Sequence, residues 1–195
     1  IESRGLDPIK ADLAGIAAIK DKGELSALLG SQLRADVDPL NATNYYTDRL
    51  FGLFVSADFN NPKINVPYLL QGGLGLPERD YYLSTDAEKK TLRAAYEKHV
   101  AKMLVLSGLP QPQAAKEAKA ILVFETALAK ASRPIEAMRD VQKLHHRIDA
   151  AGLAKLAPKL PWQRFYSAFG QNDLAAINAY LVEPISVAPT GAPRR

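Results

Sequence analysis

The sequence predicts a mainly α-helical chain with a small β-hairpin, and three observations predict it. Apolar residues recur at spacings of three and four through long stretches of the chain. Only around residues 51–70 does the pattern switch to alternation. Helix-starting and helix-stopping residues bracket the periodic stretches.

Composition supports an ordered chain and narrows what it can do. At 47% hydrophobic and 24% charged, the 195 residues lie well away from disordered compositions. No run approaches the roughly 18 apolar residues of a membrane-spanning helix, and no basic segment followed by an apolar one marks a secretory leader. The chain opens on Ile1 rather than Met, which suggests that upstream polypeptide has been removed. Cysteine is absent, and with it disulfide frameworks, thiolate-bound zinc and thiol nucleophiles. The net charge of +4 includes Arg194 and Arg195, and the other cations are scattered among carboxylates. No basic stripe interleaves with aromatics, so no nucleic-acid partner is expected.

The elements follow in order. Residues 1–48 read as N-terminal helices. Asp7 before Pro8 is a start signal, and Ile9, Leu13 and Ile16 mark one helical face. After Gly23 a second stripe runs through Leu25, Leu28, Leu29 and Leu33, then a loop from Asp36 to Asn44. Residues 49–71 read as the β-hairpin: Phe51, Leu53, Val55 and Ala57 alternate with their neighbours, as do Ile64, Val66, Tyr68 and Leu70. Asp58 to Lys63 is turn chemistry between them. Pro67 places the second strand at an edge or a bulge. A lone hairpin is marginal in water, which suggests partner strands outside this chain.

Residues 72–84 form a Gly-rich loop, QGGLGLPERDYYL from Gln71 to Leu83, whose glycines and proline argue against regular structure. Residues 85–132 read as a helical hairpin. Thr85-Asp86-Ala87-Glu88 is a capping box opening a helix with Leu92, Tyr96, His99, Val100 and Met103. Gly108 and Pro110 end it. The second helix starts near Pro112, presents Ala118, Ile121, Leu122, Glu125 and Leu128, and stops at Ser132-Arg133-Pro134. Residues 133–187 read as short helices, near 135–144, 149–156 and 162–169, and residues 188–195 as a disordered tail.

Local chemistry is sparse, and no catalytic, cofactor-binding or metal-ligating residue is assigned. A two-histidine zinc motif needs imidazoles one helical turn apart. The three histidines are His99, His145 and His146, and the last two, if helical, point about 100° apart. Ser84, Ser107 and Ser132 sit at termini suited to local hydrogen bonds. Gly73-Leu74-Gly75 runs into Leu-Pro rather than a helix start, so it lacks the setting of a phosphate loop. Glu78 and Asp80 flank Arg79 and suit local ion pairing better than acid–base work. Glu125 on an otherwise apolar face calls for a buried partner, and Arg133 or Arg139 could supply it.

The loop also carries a resemblance. QGGLGLPERDYYL resembles the G-L-G-L-P-x-R-D-Y-Y signature in the N-terminal region of the neprilysin and endothelin-converting-enzyme family of zinc metalloendopeptidases. Four further stretches match in order: Ser3-Arg4-Gly5 with Pro8; the hairpin; Phe124-Glu125-Thr126-Ala127-Leu128-Ala129 with Arg133; and Leu153-Ala154 through Pro158 with Trp162. The resemblance implies a helical segment of a two-domain metallopeptidase that caps a central cavity and restricts it to small peptides. Zinc would belong to the complete enzyme and not to this chain, whose partners would be the catalytic domain of the same polypeptide and peptide substrates. The family's H-E-x-x-H and downstream glutamate are absent here, so the chain alone is expected to be inactive. Asn178-Ala179-Tyr180 matches the letters of the family's substrate-binding N-A-[YF] motif but falls too early and is read as coincidence. The location implied is periplasmic or extracytoplasmic, and a chain lacking its catalytic half would expose apolar surface and self-associate. The alternative is a non-enzymatic helical interaction module.

Overall fold

The computed structural model describes residues 4–33, 49–134, 146–170 and 178–181. A 3₁₀ turn, Asp7–Ile9, leads into α1 (Lys10–Ala17) and α2 (Lys22–Ser31). Strands β1 (Phe51–Ala57) and β2 (Asn65–Gln71) follow, then α3 (Arg79–Leu83), α4 (Ala87–Leu106) and α5 (Gln111–Ala131). Beyond them lie β3 (His146–Asp149), α6 (Ala150–Leu156), α7 (Trp162–Ser167) and β4 (Asn178–Leu181). The chain is mostly helical, as its periodicity predicts.

The hairpin is present and its partners are in this chain. The sheet has four strands in the order β1-β2-β4-β3. β1 and β2 are antiparallel, with Phe54 opposite Tyr68, and these two rings stack at 4.7 Å. β4 runs parallel to β2 and antiparallel to β3. Strands β3 and β4 both lie within the 133–187 stretch that the sequence reads as short helices. Each is only four residues long, too short for alternation to separate a strand from a helical turn.

Pro67 is on neither an edge strand nor a bulge. It pairs with Val55 in an unbroken register. The Asp58 N–H donates to the Ile64 carbonyl at 2.9 Å, so hydrogen-bonded pairs alternate from there and Pro67 falls at a non-bonded position. Its missing N–H would face β4, whose pairing begins one residue later, at Tyr68. The turn is held by Asp58, whose Oδ1 accepts from the amides of Asn60 and Asn61 at 2.7 and 3.1 Å.

Two helix starts differ from the sequence reading. Asp7 does not cap the first helix; it lies inside the first turn and pairs with Lys10 at 2.6 Å. At α4 the capping box is not formed. Asp86 is the N-cap without a side-chain bond, and its amide donates instead to Ser84 Oγ at 3.1 Å. The stretches read as the Asp36–Asn44 loop, the 135–144 helix and the tail lie outside the described residues.

One core gathers Leu33, Phe51, Leu69, Leu153, Trp162, Phe165 and Tyr166 between the sheet and helices α2, α6 and α7. Its rings meet edge to face, Phe51 on Phe165 at 5.6 Å and Trp162 on Phe165 at 5.7 Å. α2 can approach α7 closely because it presents Ser26 and Gly30, both buried. Ser26 Oγ donates to the Pro161 carbonyl at 3.0 Å, and a Cβ on Gly30 would overlap the Phe165 carbonyl. That obstacle is backbone and cannot rotate away. Gly30→Ala should therefore cost about 1–3 kcal/mol, the usual range for overpacking, read as a lower midpoint in chemical denaturation. Gly15→Ala meets nothing within 4 Å and should leave the midpoint unchanged or slightly raised.

Candidate functional site: a carboxylate-locked loop

The signature loop descends from β2 onto the α4/α5 hairpin, and two of its glycines, Gly73 and Gly75, are required by contact. Gly73 adopts φ +79°, in the left-handed region open to glycine, and a Cβ there would crowd Leu128 of α5 and Leu50. Gly75 packs against the Tyr96 ring of α4, where any Cβ would overlap the phenol oxygen. The loop then winds into α3, a single turn that the sequence does not announce because its three glycines and proline lie just upstream.

α3 turns Tyr82 inward and leaves Tyr81 half-buried. The Tyr82 hydroxyl accepts from the Leu76 amide at 2.8 Å and donates to Glu125 Oε2 at 2.7 Å. The Tyr96 hydroxyl donates to the other oxygen, Glu125 Oε1, at 2.9 Å. Glu125 is thus the buried carboxylate that its apolar helix face implies, only 8% exposed, but its described partners are two phenols rather than the expected arginine. Arg139 lies outside the described residues. Burial, then the bond to Glu125, raises the Tyr82 pKa far above its ordinary value, so Tyr82 remains a proton donor across the physiological range.

Charged groups finish the attachment through backbone carbonyls. Arg79 Nε donates to the Ala129 carbonyl at 3.3 Å, and its contact with Asp80 is long, 3.5 Å. From α4, Arg93 reaches the carbonyls of Tyr81 and Ser84 at 2.6 and 2.9 Å, the orphan acceptors at the end of α3. Lys89 sits over the Tyr81 ring at 5.5 Å. Leu76, Tyr82 and Ala129 form a second small core beneath these contacts.

The remaining candidates are dispersed. His99 lies exposed on α4, His146 heads β3, and His145 is outside the described residues. Ser107 and Ser132 donate to the carbonyls of Leu104 and Leu128 within their own helices. Among the described residues no group of three His, Cys, Asp or Glu is placed to hold a metal ion, and no helix is long and apolar enough to cross a membrane. Asn178-Ala179-Tyr180 forms most of β4, with Tyr180 paired to Tyr68 on one side and Arg147 on the other. Sequence reasoning missed Tyr96 as a site residue; its spacing with Arg93 and Lys89 on one side of α4 was the available signal.

The architecture is that of the N-terminal part of a zinc metalloprotease. It superimposes on the Mycobacterium tuberculosis zinc metalloprotease ZMP1 in its open state with a TM-score of 0.78 and 27% identity, covering 94% of this chain and 27% of that one. Human endothelin-converting enzyme 1 is 38% identical over 122 residues, 63% of this chain and 16% of the enzyme. The endothelin-converting enzyme homolog of Locusta migratoria is 31% identical over 172 residues, 88% of this chain and 23% of that protein. A family model described as peptidase family M13 matches residues 1–188, and the chain belongs to that family. It spans about a quarter or less of the length of these relatives.

Glu125→Ala would remove the acceptor of the buried Tyr82 hydroxyl, at about 1–3 kcal/mol, and the Glu125 contact of the half-buried Tyr96. Glu125→Gln, which keeps one carbonyl acceptor, should lose clearly less; denaturant midpoints of the two variants separate these outcomes. Alkali should act through the buried phenols. Tyr82 and Tyr166 both hold their protons more tightly when folded, Tyr166 through burial alone. The unfolded chain releases those protons near pH 10 and binds fewer protons than the native state above it. Stability should therefore be flat with respect to these groups below about pH 10 and fall above it. Tyr82→Phe should flatten that fall when unfolding free energies at about pH 9 and about pH 11 are compared.

Proposed function

We propose that residues 1–195 are the N-terminal, cavity-capping part of a zinc-dependent metalloendopeptidase acting on small peptides. The match to peptidase family M13 across residues 1–188 carries this reading. Support comes from the way the signature loop and the Glu125 helix, two separate stretches of family resemblance, meet in one buried contact. The part played by this chain is mechanical. A loop tied to two long helices by buried hydrogen bonds can serve as a stiff wall that admits extended peptides and excludes folded proteins.

Hydrolysis and zinc belong, in this reading, to the polypeptide outside residues 1–195. The side chains here do not fit a zinc site: His99 is exposed on a helix and no metal-holding cluster forms among the described residues. The partners are accordingly the catalytic domain of the same polypeptide and its peptide substrates, in an extracytoplasmic setting. Taken alone, the chain would be inactive and prone to self-association.

Purified residues 1–195 should neither cleave short peptides nor retain stoichiometric zinc after dialysis. The polypeptide read through the following frame should cleave them and stop when a chelator is added. Zinc-dependent cleavage by residues 1–195 alone would overturn the assignment. A frame without H-E-x-x-H would favour the non-enzymatic interaction module.

A further inference from the structure

Helices α4 and α5 pack against each other, and both carry exposed apolar residues. On α4 Leu92, Met103 and Leu106 are set among the exposed Glu88, Thr91, Lys98 and Lys102. On α5, Ala114, Ala118, Glu125 and Ala129 face inward and are buried. Ala120, Val123, Phe124, Ala127 and Ala131 follow at i, i+3, i+4, i+7 and i+11, which places them together on the other side. All five are exposed, Val123 by 65% and Phe124 by 55%. A helix apolar on both sides is one that is covered on both.

We propose that the outward side of α5 is the seat of a helix from the parent polypeptide beyond residues 1–195; this rests on the reading above that such polypeptide exists. Two observations point to that occupant. Chains of the same fold are far longer, this one covering 27% of ZMP1, so most of the parent's helices lie elsewhere in its sequence. The face itself suits a helix: three alanines around Val123 and Phe124 permit close approach along several turns. Lys119 and Lys130, eleven residues apart, line one flank, and Lys116 closes the N-terminal end. The occupant should therefore carry an apolar stripe edged by carboxylates on the side that meets Lys119 and Lys130.

The absence of cysteine from the chain makes the test direct. Phe124→Cys and, separately, Val123→Cys are alkylated with iodoacetamide in residues 1–195 and in the longer polypeptide, with modification mapped by mass spectrometry. Lys98→Cys on α4 is the exposed reference. The proposal expects both α5 thiols to react about tenfold or more slower in the longer polypeptide, with the reference unchanged. Equal rates in the two proteins would overturn it and leave the peptidase assignment standing. Protection within residues 1–195 that deepens with concentration would make a second copy the occupant and overturn it too. A stop codon after residue 195 would remove both the occupant and the assignment, an outcome distinct from equal labelling.

Discussion

A carboxylate 8% exposed on an otherwise apolar helix face is tolerated only if both oxygens find donors, because an unpaired buried charge costs several kcal/mol. Glu125 meets that requirement with Tyr82 and Tyr96, one from the signature loop's helix and one from α4. The requirement then propagates. The Tyr82 oxygen that donates to Glu125 also accepts from the Leu76 amide, which ties the loop before α3 to the same point. Tyr96 can reach Glu125 only if the loop backbone clears its ring, and Gly75 is the residue that clears it. One buried charge thus dictates a glycine, two tyrosines and the course of the chain between them.

The two family-like stretches that look independent in sequence are halves of this contact. In Phe124-Glu125-Thr126-Ala127-Leu128-Ala129, the glutamate takes the hydroxyls, and Ala129 lies one turn on along the same side. Ala129 is fully buried, small enough to let α3 approach, and its carbonyl receives Arg79. The arginine of the loop signature is thus committed to a backbone acceptor, which is why its neighbour Asp80 holds it only at 3.5 Å. Gly73 adjoins both this assembly and the larger aromatic core, since a Cβ there would meet Leu128 and Leu50, and Leu50 packs on that core.

What could be read from the sequence divides along physical lines. The long helices α4 and α5 and the hairpin were legible because their periodicities persist for many residues. So was the burial of Glu125, because a charge set within an apolar stripe is carried inward when the stripe packs. Its partners were not legible: Tyr82 and Tyr96 are 43 and 29 residues away, and a cation is the simpler guess for an acid. The added strands escaped for a different reason. β4 pairs in parallel with β2 across more than a hundred residues, and a four-residue strand offers two alternations at most. Local capping also misled at Thr85 to Glu88, where Ser84 supplied the turn that the capping box would have made.

The Asn178-Ala179-Tyr180 triplet shows how far letters carry without backbone context. A segment that recognises an extended peptide by strand addition must offer a row of free amides and carbonyls. Where β4 lies between β2 and β3, at Tyr180 and Leu181, both of its edges are already paired. Those positions have no edge to give to a substrate, whatever their side chains resemble. The same accounting explains Pro67, which is accommodated in β2 because its missing amide falls where β4 has not yet begun to pair. In this sheet, the availability of backbone hydrogen bonds limits what a residue at Tyr180 can offer, because both of its edges are taken up by neighbouring strands.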